Sequence, residues 1–270
     1  MAETASPAAR TPPGKLGEGT ALLWWARVGD ASGDQVALLD AAERARLAAY
    51  RRAADRDRFL VGCALAKTVI AACTGSPPET VSFDRACRQC GQAHGKPVVA
   101  GGPEFSVAHS GALIAVAVAG DPVGVDVEQL DGRERPLGGD GDPQALARLV
   151  LAEPERAILA EADPAARARA FLVAWARKEA VTKATGDGLR VPFSQIVVAA
   201  VPDSAGPPRV TSWPYPQAPQ SVSVLDLDAG PGYVAALAVL GRCEAVQPAD
   251  GSALLAARRG RAGRGGGGGA

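Results

Sequence analysis

Residues 124–128 read Gly124-Val125-Asp126-Val127-Glu128, a stretch in which valine alternates with an acidic residue. A period of two predicts a β-strand, so Asp126 and Glu128 point to one face and the two valines to the other. Two carboxylates on one strand face repel each other unless water, a base or a cation lies between them. An exposed strand end is the simpler alternative, and it stays open at this point.

A helix is predicted roughly 50 residues further on, over Trp175-Ala-Arg-Lys178-Glu179-Ala-Val-Thr-Lys183. Trp175, Glu179 and Lys183 follow one another at intervals of four and therefore share a helix face. A surface Glu–Lys pair beside a packed tryptophan has the same spacing and stays open as the alternative.

Two shorter motifs precede the acidic strand. Phe105-Ser-Val-Ala-His109-Ser110-Gly111 predicts a strand that ends in a turn, with a histidine able to contact a phosphate or to fill a structural role. Gly95-Lys96-Pro97 lacks the spacing of a nucleotide-binding P-loop, although its lysine can still project a charge towards a phosphate.

Together these residue types indicate one kind of chemistry. Asp126, Glu128 and Glu179 offer three carboxylates for a hard cation such as magnesium, which completes its shell with water and phosphate oxygens. The cationic side chains that we expect to hold phosphates are Lys96, His109, Lys178 and Lys183. This set is typical of a site for attack on a pyrophosphate linkage.

The rest of the chain predicts an α+β fold in two halves of similar content. Helices are predicted over 34–52, 55–73, 144–151, 153–162 and 165–185, and strands over 21–28, 80–83, 105–109, 113–118, 123–128, 194–201, 209–212, 221–227 and 233–240. We expect an N-terminal half over 20–122 and a C-terminal half with the carboxylates over 123–245. The Pro/Ala/Gly-rich residues 1–19 and the Arg/Gly-rich residues 246–270 are expected to be disordered tails.

Composition excludes several classes of protein. Hydrophobic residues make up 47% of the 270, so the chain is globular, and 29 basic residues balance 29 acidic ones. No overall field therefore favours nucleic acid or a membrane as partner. We find neither a secretory signal nor an apolar run of the roughly 18 residues that span a bilayer. The odd count of five cysteines argues against a disulfide framework and favours the cytoplasm.

The segment Cys87-Arg-Gln-Cys90-Gly-Gln-Ala-His94 resembles half of a zinc knuckle. Two thiolates and an imidazole at this spacing can share a tetrahedral metal, but the sequence shows no obvious fourth ligand. A turn that happens to contain thiols remains the alternative.

The order of the motifs, G-K-P, then F-S-V-A-H-S-G, then G-V-D-V-E, then W-A-R-K-E-A-V-T-K-A-T-G-D-G-L, resembles that of the surfactin-type 4′-phosphopantetheinyl transferases. The resemblance is strong over 95–189 and extends over about 21–240. It implies a fold of two pseudo-symmetric α+β halves, with coenzyme A at their interface. It also implies transfer of the phosphopantetheine arm to a serine of an acyl or peptidyl carrier protein, as in polyketide and nonribosomal peptide synthesis.

The same resemblance implies roles for individual residues. Asp126, Glu128 and Glu179 would bind magnesium, Glu179 would accept the serine proton, and His109 and Lys183 would contact the phosphates of coenzyme A. Lys96 would lie at the nucleotide end. Three arginines would lie towards the 3′-phosphate, namely Arg44, Arg46 and Arg58. A pseudo-duplicated chain completes its own site, so a monomer is expected.

One position departs from the family pattern. Many relatives carry a serine directly before the histidine, where this chain has Ala108, so we expect one phosphate contact to be missing. Two alternative functions share the motifs. One is a non-catalytic binder of carrier proteins or coenzyme A, which would have no need of all three carboxylates; the other is a metal-dependent phosphodiester or pyrophosphate hydrolase, which would release adenosine bisphosphate without a carrier.

Overall fold

The structure is a computed structural model that describes residues 16–130, 143–199, 207–215, 219 and 221–265. Most of the predicted N-terminal tail and residues 131–142 therefore lie outside the described residues. In the described part of the chain, no helix is both long and apolar enough to cross a bilayer.

The described chain contains nine strands and six α-helices, besides short 3₁₀ turns. The strands are β1 (Thr20–Arg27), β2 (Glu104–Ser110), β3 (Leu113–Ala119), β4 (Val123–Gln129), β5 (Val197–Ala199), β6 (Arg209–Ser212), β7 (Ser223–Leu227), β8 (Tyr233–Val239) and β9 (Ala245–Asp250). The helices are α1 (Ala41–Ala49), α2 (Ala53–Thr74), α3 (Pro143–Val150), α4 (Glu153–Glu161), α5 (Pro164–Thr185) and α6 (Gly251–Gly265).

Two sheets repeat one arrangement. The first has the order β2-β3-β1-β9, and the second has the order β4-β8-β7. In the first, β3 pairs antiparallel with both β1 and β2; in the second, β8 pairs antiparallel with both β4 and β7. The hairpin strand β3 or β8 is thus the centre of each three-stranded unit. The predicted α+β class is confirmed, and the topology shows two similar halves.

Strand alternation divides the interior into three cores. One face of the first sheet packs against α2 through side chains such as Trp24 and Ile114. One face of the second packs against α5 through side chains such as Ala236 and Val224. The remaining faces pack on each other through small residues such as Ala115, Ala117 and Val125. The two sheets are therefore the inner layers, and the long helices are the outer ones.

Residues 246–265 form a strand and a helix, which corrects that part of the disordered tail predicted over 246–270. Residues 245–250 form β9, which pairs parallel with β1, and α6 follows with Leu255 buried. Arg258 lies 3.1 Å from Asp34, so an arginine assigned to a solvated tail makes an ion pair with the first half. The sequence did not indicate this, because β9 pairs with a strand more than 200 residues away and none of its side chains is buried. Residues 266–270 lie outside the described part.

Two further predictions are wrong near the N terminus. The helix expected over 34–52 is divided into a 3₁₀ turn, Gly33–Leu38, and α1. Asp40 separates them, because its side chain accepts the Glu43 N–H at 2.8 Å and so caps a new helix. The strand expected over 80–83 is absent from the described residues there, and an isolated bridge pairs Asp84 with Val98 instead.

Candidate active site

Asp126 and Glu128 share one face of β4, as the alternation of the sequence predicts, and this face lies against α5. Gly124 allows this close approach, since a Cβ atom there would lie 2.0 Å from the Ala180 carbonyl oxygen of α5. Lys183 Nζ donates to Asp126 Oδ1 at 2.6 Å and to the Val125 carbonyl at 3.2 Å. The strand and the helix thus bring their charged residues together.

Glu128 is held by hydrogen bonds from two other elements, α5 and β2. Its Oε1 accepts a hydrogen bond from Trp175 Nε1 at 3.0 Å, and its Oε2 accepts one from Ser110 Oγ at 3.0 Å. The Gln129 N–H donates to Ser110 Oγ at 3.1 Å, which ties the end of β2 to β4. The shared helix face of Trp175 and Lys183 is therefore confirmed, because both side chains contact β4.

The electrostatics of this group favour a cation. Burial raises the pKa of Asp126, and the Asp126 Oδ2 atom is buried without a hydrogen-bond partner. Burial, followed by the charge of Asp126, raises the pKa of Glu128 to about 7. Burial also raises the pKa of Glu179, to which Asp126 contributes against the opposing charge of Lys183. Three carboxylates with raised pKa values would release their protons more readily if a metal ion were bound.

Lys183 supplies part of the positive charge that offsets the three carboxylates. Burial disfavours its ammonium, but the charges of Asp126, Glu179 and Glu128 outweigh burial and raise the pKa of Lys183. In the described residues the three carboxylates do not form a preformed metal cluster, and Lys183 Nζ occupies Asp126 Oδ1. The buried Asp126 Oδ2 atom has no hydrogen-bond partner and is therefore available to a cation.

A cleft lined by cationic side chains runs from the smaller of two cavities into the larger. The larger cavity, of about 570 Å³, is lined by Arg85, His94, Gly95, Lys96, Pro97, Phe105, Ser106, Val107, Thr182, Lys183, Gly186, Asp187, Gly188, Leu189 and Arg190. The smaller, of about 190 Å³, is lined by Arg46, Tyr50, Arg58, Phe59, Gly62, Cys63, Ala66, Phe83, Arg85, Val107 and His109. Arg85 and Val107 line both, so the cavities meet there.

Several predicted phosphate ligands line this cleft. Arg58 Nε donates to the Gly111 carbonyl at 2.7 Å, and Arg46 lies 5.2 Å from the centre of the Phe59 ring. Lys96 Nζ is bonded to Glu104 Oε2 at 2.7 Å beside the larger cavity. Desolvation lowers the pKa of His109, and the charges of Lys183 and Arg58 lower it further, so this imidazole favours its neutral form.

Two predicted phosphate ligands do not line it. Lys178 is fully buried, where it pairs with Glu155 and donates to the carbonyls of Val150 at 2.8 Å and Phe193 at 2.9 Å. Its role is structural, which corrects the phosphate-binding prediction. Arg44 also lies outside both linings, because its Nε donates to the Leu39 carbonyl at 2.8 Å.

Ala108 does not remove a contact from the cleft. Its side chain is buried in the core between the two sheets, where a hydroxyl would face apolar neighbours. The phosphate contact expected to be missing is therefore not one that this side chain is placed to make.

Arg85 is the residue that the sequence did not indicate. It lines both cavities, its guanidinium lies 5.8 Å from the Phe83 ring centre, and desolvation lowers its pKa. Nothing in the local pattern Phe83-Asp84-Arg85 distinguishes it from a surface arginine.

Comparison with known proteins agrees with this geometry. A family model described as the 4′-phosphopantetheinyl transferase superfamily matches residues 122–238, which include β4, α5 and β8. The 4′-phosphopantetheinyl transferase psf-1 of Bacillus pumilus is 30% identical over 188 residues, which cover 69% of this chain and 73% of that protein. The chain belongs to the 4′-phosphopantetheinyl transferase superfamily.

Two other members of this superfamily cover similar lengths. The 4′-phosphopantetheinyl transferase HetI of Nostoc sp. (strain PCC 7120 / SAG 25.82 / UTEX 2576) is 29% identical over 214 residues, 77% of this chain and 81% of that protein. A 4′-phosphopantetheinyl transferase of Bacillus subtilis is 28% identical over 165 residues, 60% of this chain and 67% of that protein. The enzyme class predicted from the motifs, a phosphopantetheinyl transferase, is thereby confirmed.

Proposed function

We propose that this chain transfers the 4′-phosphopantetheine moiety of coenzyme A to a serine of an apo acyl or peptidyl carrier protein. The products are the holo carrier and adenosine 3′,5′-bisphosphate. The observation that supports this proposal is the acidic cluster of Asp126, Glu128 and Glu179 joined through Lys183 to a cationic cleft. Membership of the superfamily supplies the reaction class.

Coenzyme A carries a pyrophosphate and a 3′-phosphate, and the cleft offers cations along its length. Arg46 and Arg58 in the smaller cavity would meet the 3′-phosphate side. Lys96 in the larger cavity would lie at the nucleotide end. His109 and Lys183 would contact the phosphates of coenzyme A, and Arg85, which lines both cavities, is added to the set that the sequence predicted.

Asp126, Glu128 and Glu179 would hold one magnesium ion. The fit rests on a donor set of carboxylates alone, which suits this hard cation, and on the buried Asp126 Oδ2 atom that has no hydrogen-bond partner. When bound, magnesium offsets the negative charge of the pyrophosphate.

The chain's own residues would perform the remaining chemistry. Lys183 keeps its proton because the neighbouring carboxylates raise its pKa, so it would stabilise charge on the departing bisphosphate. Glu179, whose pKa is raised by burial, would accept the proton of the attacking serine, directly or through water. Trp175 and Ser110 would keep Glu128 in place through their hydrogen bonds.

We further propose that the chain is of the surfactin type, acts as a monomer, and serves carriers of polyketide or nonribosomal peptide synthesis. The ordered motifs over 95–189 support the subfamily. Each half supplies different residues to one cleft, so a single chain holds the whole set. The boundary near Pro122 that we propose between the halves lies between β3 and β4.

The direct test combines the purified chain with coenzyme A, magnesium chloride and several apo carrier proteins. Mass spectrometry should show that the carrier gains one phosphopantetheine arm, and that chelation of magnesium prevents the gain. Absence of any gain with acyl, polyketide and peptidyl carriers would refute the proposal. Release of adenosine bisphosphate without a carrier would favour a hydrolase instead.

Asp126→Ala provides the matched test of the acidic cluster. We expect transfer to fall by at least about 1000-fold, since a lost metal ligand removes several kcal/mol of transition-state stabilisation. Asp226→Ala is the control, because Asp226 pairs with Arg177 at 2.6 Å and lines neither cavity. Equal activity of the two variants would exclude the proposed role of Asp126.

A further inference from the structure

The segment from Asp84 to Val98 forms a small hairpin beside the larger cavity. Asp84 and Val98 exchange two backbone hydrogen bonds of 2.9 Å, and the Gly95 N–H donates to the Arg85 carbonyl at 2.7 Å. Between these two ends, Cys87 is the single buried residue. The hairpin therefore has almost no apolar core of its own to hold its shape.

Three potential metal ligands meet at the tip of this hairpin. The ligand atoms of Cys87, Cys90 and His94 all lie within 4.8 Å of one another, and Cys90 Sγ lies 3.0 Å from His94 Nε2. In a tetrahedral zinc site with Zn–S of about 2.3 Å and Zn–N of about 2.0 Å, ligand atoms lie roughly 3.5–3.8 Å apart. The three side chains are thus gathered at nearly the separation that zinc requires.

The backbone between the cysteines is shaped to support a thiolate. The backbone N–H groups of Cys90 and Gln89 lie near the Cys87 sulfur and favour its thiolate form. Gly91 has a φ of 70°, which favours glycine, and its N–H donates to the Cys87 carbonyl at 2.8 Å. Arg190 Nη1 lies 3.3 Å from the same sulfur. Hydrogen bonds of this kind orient metal-binding thiolates.

We propose that Cys87, Cys90 and His94 bind one Zn²⁺ ion through two thiolates and one imidazole, with water as the fourth ligand. Within the described residues no fourth Cys, His, Asp or Glu joins the group, which leaves that position to water. Because His94 lines the larger cavity, the metal lies at its rim. The ion would replace the missing core of the hairpin and hold Lys96, two residues beyond His94, against the cavity wall.

A Cys87–Cys90 disulfide is the competing use of the same thiols. The proposed metal site requires His94 as a ligand, whereas a disulfide between the two cysteines does not. The proximity of Cys90 Sγ to His94 Nε2 favours the metal.

Metal analysis of the full chain tests the proposal. The protein is expressed without a metal-binding tag in zinc-supplemented medium and purified under reducing conditions. We expect about one zinc atom per chain in the wild type and less than about a tenth in Cys90→Ser and His94→Ala. Cys73→Ser is the control and should retain its zinc, since Cys73 is a half-buried residue of α2 outside the cluster.

Three outcomes would overturn the proposal. They are a wild-type chain with less than about a tenth of a zinc atom, a His94→Ala variant with full zinc content, and a Cys87–Cys90 disulfide in zinc-free protein purified with reductant. Cobalt substitution of the wild type gives a second measurement that needs no variant to fold. Thiolate-to-cobalt charge-transfer absorption is expected, and its absence would contradict thiolate ligation.

The structural role has its own readout. Trypsin should cleave after Arg88 faster once a chelator has removed the metal, and added zinc should restore protection. An unchanged cleavage rate after complete zinc removal would show that the ion does not hold the hairpin. None of these measurements uses coenzyme A or a carrier, so their outcome is independent of the proposed transfer.

Discussion

The two halves of the molecule share one scaffold, but the three residues of the acidic cluster, Asp126, Glu128 and Glu179, all lie in the second half. Lys67 and Lys178 are each the fifteenth residue of a 22-residue helix, and each is fully buried. Lys67 pairs with Glu43 at 2.9 Å, and Lys178 pairs with Glu155. Each glutamate is the third residue of a short preceding helix and accepts the N–H of that helix's cap residue.

The side chains that differ between the halves are those of the proposed site. Trp24 and Asp126 pair with the fourth residues of β3 and β8, so they occupy matching positions. By the same registers, Ala26 matches Glu128. On the helices, Thr68 and Ala72 stand where α5 has Glu179 and Lys183. The repeated positions therefore carry the fold, and the differing ones carry the chemistry.

The buried lysines should be equivalent if the halves are structural copies. Lys67→Met and Lys178→Met are each expected to lower the free energy of unfolding by about 3–5 kcal/mol, because each leaves a buried glutamate unpaired. Urea denaturation of both variants measures this. A large loss of unfolding free energy in one variant and none in the other would show that the two buried lysines are not equivalent. Replacing both members of a pair with apolar residues should recover most of the loss.

Lys183 should behave unlike the buried lysines. Lys183→Met is expected to slow transfer by the folded protein by about 100- to 1000-fold, the usual cost of losing one charge-stabilising donor. Steady-state kinetics with an apo carrier, together with a thermal melt, separates slower transfer from loss of folded protein. A Lys183→Met variant that unfolds but keeps its specific activity would assign this residue to the scaffold.

Gly124 tests how closely α5 must approach β4. Gly124→Ala is expected to cost about 1–3 kcal/mol of stability and to lower transfer, because α5 carries Glu179 and Lys183 away from Asp126. Leu22 occupies the matching position in the first half, where a large side chain is accommodated. Gly120→Ala is the control, since a Cβ atom there meets nothing within 4 Å. Equal stability of the two alanine variants would contradict the close approach.

The smallest expected effect is the pH dependence that Glu128 contributes in the second half. Because the pKa of Glu128 is raised from 4.5 to about 7, the folded chain binds more protons than the unfolded chain over this range. The stability of metal-free protein should therefore fall as pH rises from about 4.5 to 7, by less than about 2 kcal/mol for this half-buried group.

Urea denaturation in a chelator, at several pH values, gives the measurement. Glu128→Gln should reduce the slope of stability against pH, since the amide does not titrate. Ala26 has no titrating group at the matching position of the first half. His109, also in the first half, has a lowered pKa and therefore contributes in the opposite direction, so Glu128→Gln isolates the contribution of Glu128. A slope that is unchanged in Glu128→Gln would show that the pH dependence arises elsewhere.

The period of a strand and the residue spacing on a helix were sufficient to predict which side chains share a face, because that depends only on the geometry of the element itself. Alternation along β4 predicted the shared face of Asp126 and Glu128, and the four-residue spacing on α5 predicted that of Trp175 and Lys183. The same reasoning failed for Lys178. It lies next to Glu179 in sequence, but a helix turns about 100° per residue. Its side chain therefore enters the core, where Glu155 pairs with it.

The sequence by itself determined the helices and strands that carry the acidic cluster, their α+β class, and the motifs typical of phosphopantetheinyl transferases. Each of these depends on short-range geometry or on motif order along the chain. Only the tertiary structure decided that β9 returns to β1, that Arg85 joins the two cavities, and that Ala108 faces the core between the sheets. Those facts depend on which distant segments pack together, and local side-chain patterns do not encode that choice.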